Sequence, residues 1–129
     1  MPPKYHLIDG LPKSVSPSSH AAEADGFVFL TGQFGRDLDN PDAPLPEGIE
    51  AQTERTLANM KRVLGALGLT MENVASVRVF LTQFKRDYAA MNAVYARQFS
   101  QPYPARTTIG VASLPLGARV EIELIARRD

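Results

Sequence analysis

The run ARVEIELIARR, residues 118–128, alternates apolar and charged positions. Successive side chains of a β-strand point to opposite faces of its sheet. Val120, Ile122, Leu124 and Ala126 therefore form one apolar face, and Arg119, Glu121, Glu123, Ile125 and Arg127 form the other. Only one face of such a strand can enter a hydrophobic core, so helices should cover its sheet on one side. The charged face has two readings. It is either a solvated surface with weak ion pairs, each contributing about 0–1 kcal/mol, or a surface that meets another subunit and lines a cleft.

The rest of the chain supplies the cover. KYHLID reads as a first strand, followed by the Gly/Pro/Ser loop GLPKSVSPSS. HAAEA and FVFLTG flank Asp25-Gly26, the favoured two-residue hairpin turn. RDLDNPDAPLPEG is an acidic, proline-rich loop without the spacing or closing glutamate of a calcium loop. Ile49, Thr53, Leu57, Met60, Leu64 and Leu67 recur at helical spacing, with Gly48 near the start and Gly68 just past the end. NVASVRVFLT is a β-branched strand. Asp87 is expected to N-cap a second helix with a buried stripe of Tyr88, Met91, Tyr95 and Phe99. RTTIGVA and ARVEIELIARR are the last strands, joined by the turn SLPLG. The order β, β-hairpin, α, β, α, β, β predicts an α+β domain, a mixed sheet with both helices on one face. Phe27, Phe29, Val77 and Val79 cannot all be exposed cheaply, which favours an oligomer burying sheet against sheet.

The 129 residues suit one domain, 1–129, and 44% hydrophobic content suffices for a core. A formal net charge of +0 lacks the basic excess of a nucleic-acid-binding surface. With no cysteine, disulfides, thiolate metal sites and cysteine nucleophiles are excluded. MPPKYHLIDG has no apolar signal core, and no run reaches membrane-span length. A cytoplasmic protein without membrane or nucleic-acid partners is expected. His6 and His20 share no metal-ligand spacing with acids, and no nucleophile elbow accompanies the serines.

Arg106 opens a strand directly after the corner Pro102-Tyr103-Pro104. It is either an exposed strand-end charge or a clamp for a carboxylate or phosphate, which its planar fork can hold bidentately. Gly110 in the same strand permits close approach or marks a bulge.

SHAAEADGFVFLTGQ, QTERTLANMKRVLGALG, VRVFLTQF, MNAVYARQF and YPARTTIGVASLPLGARVEIELIA, in this order and spacing, resemble the RidA/YjgF family of enamine/imine deaminases over nearly the whole chain. The resemblance implies a chorismate-mutase-like (YjgF-like) α+β fold and a homotrimer whose sheets form a central barrel with clefts between subunits. It implies that Arg106 binds the substrate carboxylate and that Glu121 positions the attacking water. Thr31, Gly32 and Asn92 match pocket positions. Many members carry cysteine where this chain has Thr108, whose backbone and hydroxyl can serve instead. Many carry a pocket tyrosine where this chain reads Ser18-Ser19-His20, which leaves Ser18 as a smaller group in the substrate-binding set. The implied reaction is hydrolysis of small 2-imino acids or their enamines, such as 2-iminopropionate from 2-aminoacrylate, to 2-keto acids and ammonia. No metal or organic cofactor is implied. Two other readings stand beside it: a non-catalytic trimer that binds small acids through the same Arg106, and a chaperone-like or RNA-acting member, of which a holdase would survive loss of Arg106.

Overall fold

The computed structural model describes residues 2–14 and 16–129; Met1, and Val15 within the loop expected at 10–19, lie outside the described residues. The strands are β1 (Lys4–His6), β2 (Ala21–Ala24), β3 (Phe27–Phe34), β4 (Val74–Leu81), β5 (Ala105–Gly110) and β6 (Val120–Arg127). The helices are α1 (Ile49–Ala66) and α2 (Phe84–Gln98). The strands form one sheet in the order β1-β2-β3-β6-β4-β5. Every pairing is antiparallel except β4 with β5, which is parallel. This is the mixed sheet of the α+β prediction. The first strand is shorter than KYHLID and ends at His6.

Local chemistry sets the element ends. Asp25 (φ 53°) and Gly26 (φ 81°) both occupy the left-handed region that a two-residue hairpin turn requires. Past the C-cap Leu67 of helix α1 lies Gly68 (φ 76°), whose N–H donates to Gly65 O while the Leu69 N–H donates to Leu64 O. Those two bonds satisfy carbonyls that the helix end leaves free.

The core lies between the helices and the inner face of the sheet. Leu57, Met60 and Leu64 of α1 and Met91 and Val94 of α2 pack against Val28, Val77, Val79, Ile122 and Leu124. The parity of β6 is as expected: Val120, Ile122, Leu124 and Ala126 are buried, and the intervening residues are half-buried or exposed. Phe27 and Phe29 lie outward and exposed, whereas Val77 and Val79 are buried inward. The outer face keeps one expected ion pair, Arg78 to Glu123 at 2.6 Å.

Asp87 and Arg119 also depart from the sequence reading. Asp87 does not cap α2, which starts at Phe84 and has Gln83 in the N-cap position. Asp87 lies in the first turn, fully buried, and accepts hydrogen bonds from Arg119 Nε (2.9 Å) and Nη2 and from Arg86 Nε (3.1 Å). Arg119, assigned to the outer face by parity, precedes β6 and turns to the helix side to make this pair. Its backbone N–H donates to Gln52 Oε1 of α1 at 2.9 Å. A buried carboxylate is tolerated only when paired, and here the pairing ties α2, α1 and the start of β6 together. Burial would raise the Asp87 carboxyl, but hydrogen bonds from Arg119 and then Arg86 hold it below the ordinary value.

Replacing Asp87 with asparagine leaves Arg119 without its counter-charge. The expected loss is about 3–5 kcal/mol near neutral pH, measured by urea unfolding. Because the folded carboxyl is depressed, the wild-type advantage is full above the unfolded value of roughly 4 and shrinks as pH falls through the folded one. The two proteins should therefore converge in acid.

Candidate functional site

The candidate residues fall into two clusters on opposite faces of the sheet. Arg106 pairs with Val77, which pairs with Leu124, and Thr108 pairs with Val79, which pairs with Ile122. Val77, Val79, Ile122 and Leu124 are core residues, so Arg106 and Thr108 lie on the helix face. Helix α2 runs antiparallel beside them. Its Phe84 lies where a Cβ on Gly110 would meet it at 3.5 Å, and its Tyr95 lies under Arg106. That distance is ordinary contact, so Gly110 is not forced by crowding there.

The Arg106 guanidinium carbon sits 4.8 Å from the Tyr95 ring centroid and 5.9 Å from that of Tyr88. Tyr88 stacks on Phe84 at 4.9 Å, and Tyr95 packs on Phe99 at 4.6 Å. The predicted aromatic stripe of α2 is thus only partly core: Tyr88 is exposed, and both tyrosines form a seat for the cation. A cation over a ring face is attracted by its quadrupole, yet this leaves the guanidinium's planar fork uncommitted. Among the described residues no carboxylate lies within ion-pair reach of Arg106.

Three buried side-chain atoms lack a hydrogen-bond partner among the described residues: Asn92 Oδ1, the Tyr95 hydroxyl and Thr108 Oγ1. All belong to α2 or β5. Asn92 and Tyr95 are one helical turn apart, and Thr108 is two residues from Arg106 on the same strand face. Burial pushes the Tyr95 hydroxyl up to about 12, against the lowering effect of the Arg106 charge.

Glu121 belongs to the other cluster. It pairs with Phe34 of β3 and Phe80 of β4, and Phe80 pairs with Ile109, a row on the outer face. Between Leu30 and Gln33 the register shifts by one residue, a bulge that places Thr31 and Gly32 beside Glu121. A Cβ on Gly32 would stand 2.6 Å from Glu121 Oε2, so glycine here lets the carboxylate keep this position, which any larger residue would push it out of. Ser18, Thr31, Gly32 and Glu121 line one cavity of about 640 Å3, together with His20 and Phe34. Burial raises the Glu121 carboxyl above its ordinary value, and the nearby Glu123 charge adds to that.

The cavity wall is fixed by backbone bonds. Thr31 Oγ1 donates to Ser19 O at 2.6 Å, and its N–H donates to His20 O at 3.1 Å. His20 Nδ1 accepts from the Ile8 N–H at 2.8 Å, and Nε2 lies 3.0 Å from Pro12 O, so the Nε2–H tautomer satisfies both. His20 therefore holds the loop and is not a nucleophile's base.

One chain thus assembles Arg106, Thr108 and Asn92 in one place and Glu121, Thr31, Gly32 and Ser18 in another. It does not bring Arg106 and Glu121 together. Tyr95, assigned to the core by its helical spacing, is buried as expected but also seats Arg106, and its position one turn from Asn92 is the one sequence pointer to that contact. Among the described residues no group of three His, Asp or Glu side chains could hold a metal ion, and no helix is long and apolar enough to cross a membrane.

The family model described as endoribonuclease L-PSP matches residues 10–128. A 2-iminobutanoate/2-iminopropanoate deaminase of Dermatophagoides farinae is 38% identical over 126 residues, which span 97% of this chain and 97% of that protein. Protein DfrA of Myxococcus xanthus is 40% identical over 121 residues, 92% of this chain and 90% of that one. The crystal structure of E. coli TdcF with bound serine superposes with a TM-score of 0.86 at 29% identity, covering 96% of this chain and 99% of that one.

The raised carboxyl of Glu121 has a measurable consequence. A folded value above the unfolded one means that the charged form is disfavoured in the fold, so stability falls as pH rises through the interval between them. Glu121→Gln should melt a few degrees above wild type at pH 7. That gain should vanish below about pH 4, where the unfolded carboxyl is itself protonated. Calorimetric scans at the two pH values check it.

Proposed function

The chain belongs to the RidA/YjgF family, whose model carries the description endoribonuclease L-PSP, and from that premise we propose that it hydrolyses small 2-imino acids to 2-keto acids and ammonia. The observation that carries this reading is the Arg106 guanidinium, seated on two tyrosine rings and free of any carboxylate among the described residues. A small acid would supply the missing charge. The deaminase name of the mite relative supports the reaction class, and the serine in the E. coli structure supports a ligand of this size.

Arg106 would hold the substrate carboxylate and fix its orientation, the service that proximity provides. The imine carbon is already electrophilic, so no covalent nucleophile is needed. Glu121, whose carboxyl burial raises above its ordinary value, is suited to orient water and relay its proton. Water adds across the C=N bond to give a carbinolamine, the proton moves to nitrogen, and collapse to the C=O bond expels ammonia. Asn92, Thr108, Thr31, Gly32 and Ser18 would line the pocket. Arg106 and Glu121 lie on opposite faces within one chain, so this chemistry requires them to meet across a junction between copies, a homotrimer in our reading. The outward Phe27 and Phe29 support such an assembly. We place the protein in the cytoplasm.

A second reading, a trimer that binds small acids without turnover, uses the same Arg106 and is favoured by the serine complex of the E. coli relative. RNA cleavage, which the family description names, is opposed by a formal net charge of +0.

Imino acids generated by an amino-acid oxidase, with semicarbazide trapping what remains, distinguish these readings. Wild type should accelerate imine loss, and Arg106→Ala should cut kcat/KM by roughly 100-fold or more while sedimenting as the same oligomer. Equal rates for the two proteins would remove the enzymatic reading; keto-acid binding without ammonia release would establish the second.

A further inference from the structure

Buried polar atoms are nearly always hydrogen-bonded, because an unpaired one destabilises the fold. The three exceptions among the described residues are on Asn92, Tyr95 and Thr108; Tyr95 lies under Arg106, Thr108 is two residues along its strand face, and Asn92 is one helical turn from Tyr95. Within the chain the Tyr95 hydroxyl has no hydrogen-bond partner among the described residues. Tyr95 is 4% exposed, and its ring already packs on Phe99 at 4.6 Å. Phenylalanine would fill the same space without the orphaned oxygen. Valine at 108 would match threonine in shape and suit a strand. A sequence shaped by stability alone would carry those residues. The Tyr95 ring also lies 4.8 Å beneath the Arg106 guanidinium, so the orphaned hydroxyl belongs to the side chain that seats the cation.

We infer that Tyr95 is a positioning residue of the acid-binding site: its ring seats Arg106, and its hydroxyl is kept for hydrogen bonds that form only when a ligand is in place. A carboxylate offers about four lone-pair positions. A guanidinium fork occupies two of them, which leaves two for hydroxyl donors such as those of Tyr95 and Thr108. The Asn92 amide then remains for a polar group on the neighbouring carbon. The matching ligand class is a small planar 2-imino or 2-keto acid. The inference rests on Arg106 binding a carboxylate, as proposed above.

The test is calorimetric titration of the full chain with 2-oxobutyrate, together with melting temperatures, for wild type, Tyr95→Phe, Tyr95→Leu and Arg106→Met. Tyr95→Phe should melt at or above wild type, since it removes an unpaired buried group, and should bind about tenfold more weakly. Tyr95→Leu, which also removes the seat, should lose roughly a further tenfold, so that phenylalanine is a partial rescue. Binding by Tyr95→Phe within about twofold of wild type overturns the inference. So does a clear fall in its melting temperature, because the hydroxyl would then serve the fold. Absence of binding by wild type itself would instead strike at the acid-binding role of Arg106 and take the inference with it. Loss of imine turnover with binding intact would leave the inference standing while removing the deaminase reading.

Discussion

The rest of the structure depends on one constraint: β6, near the middle of the sheet, can be buried on one face only. Its inward residues are fully buried beneath α1 and α2. Its outward residues carry two carboxylates, and burying those against a second helical layer would require partners the chain does not supply. The helices therefore collect on one side, and the opposite side keeps Phe27, Phe29, Glu121 and Glu123 at the surface. Separation of the candidate residues into two clusters follows from the same rule. Arg106 and Glu121 have opposite parity once the strand registers are fixed, and no side-chain motion carries one through the sheet to the other.

The buried pair of Asp87 and Arg119 aligns the two halves of the molecule at the end of the sheet near Gly110. It anchors the first turn of α2, and α2 in turn delivers Tyr88, Asn92 and Tyr95 to β5. A hydrophobic contact could bring the same elements together, but a bidentate pair also fixes their angle.

Much of this was legible in the sequence. The period of two in residues 118–128 and the helical spacing from Ile49 to Leu67 depend on local geometry alone, and both elements form as expected. The Asp25-Gly26 turn is likewise a local matter of left-handed backbone. Asp87 was not legible in this way. Its place at the head of a helix suggested a cap, but its partner is 32 positions away, and nothing local announces an ion pair of that span. Arg119 escaped for the same reason, since parity governs residues inside a strand and Arg119 precedes it. Tyr95 escaped because helical spacing reports burial and is silent on whether a buried hydroxyl has a partner. The resemblance to the RidA/YjgF family did name Arg106, Glu121 and Asn92, and the structure shows how the fold sorts them.

The bulge at Thr31 and Gly32 carries a broader implication for how this chain can vary. By adding one residue to β3, it exchanges inside for outside in everything that follows on that strand: Gln33 turns into the protein and Phe34 turns out of it. A chain shortened by a single residue here would return to regular pairing with its glutamine still inward and its phenylalanine still outward, and would lose only the bulge that sets Thr31 and Gly32 beside Glu121. The extra residue therefore serves the surface beside the carboxylate and leaves the core unchanged, so a deletion here should alter the cavity at Glu121 while sparing the packing of β3.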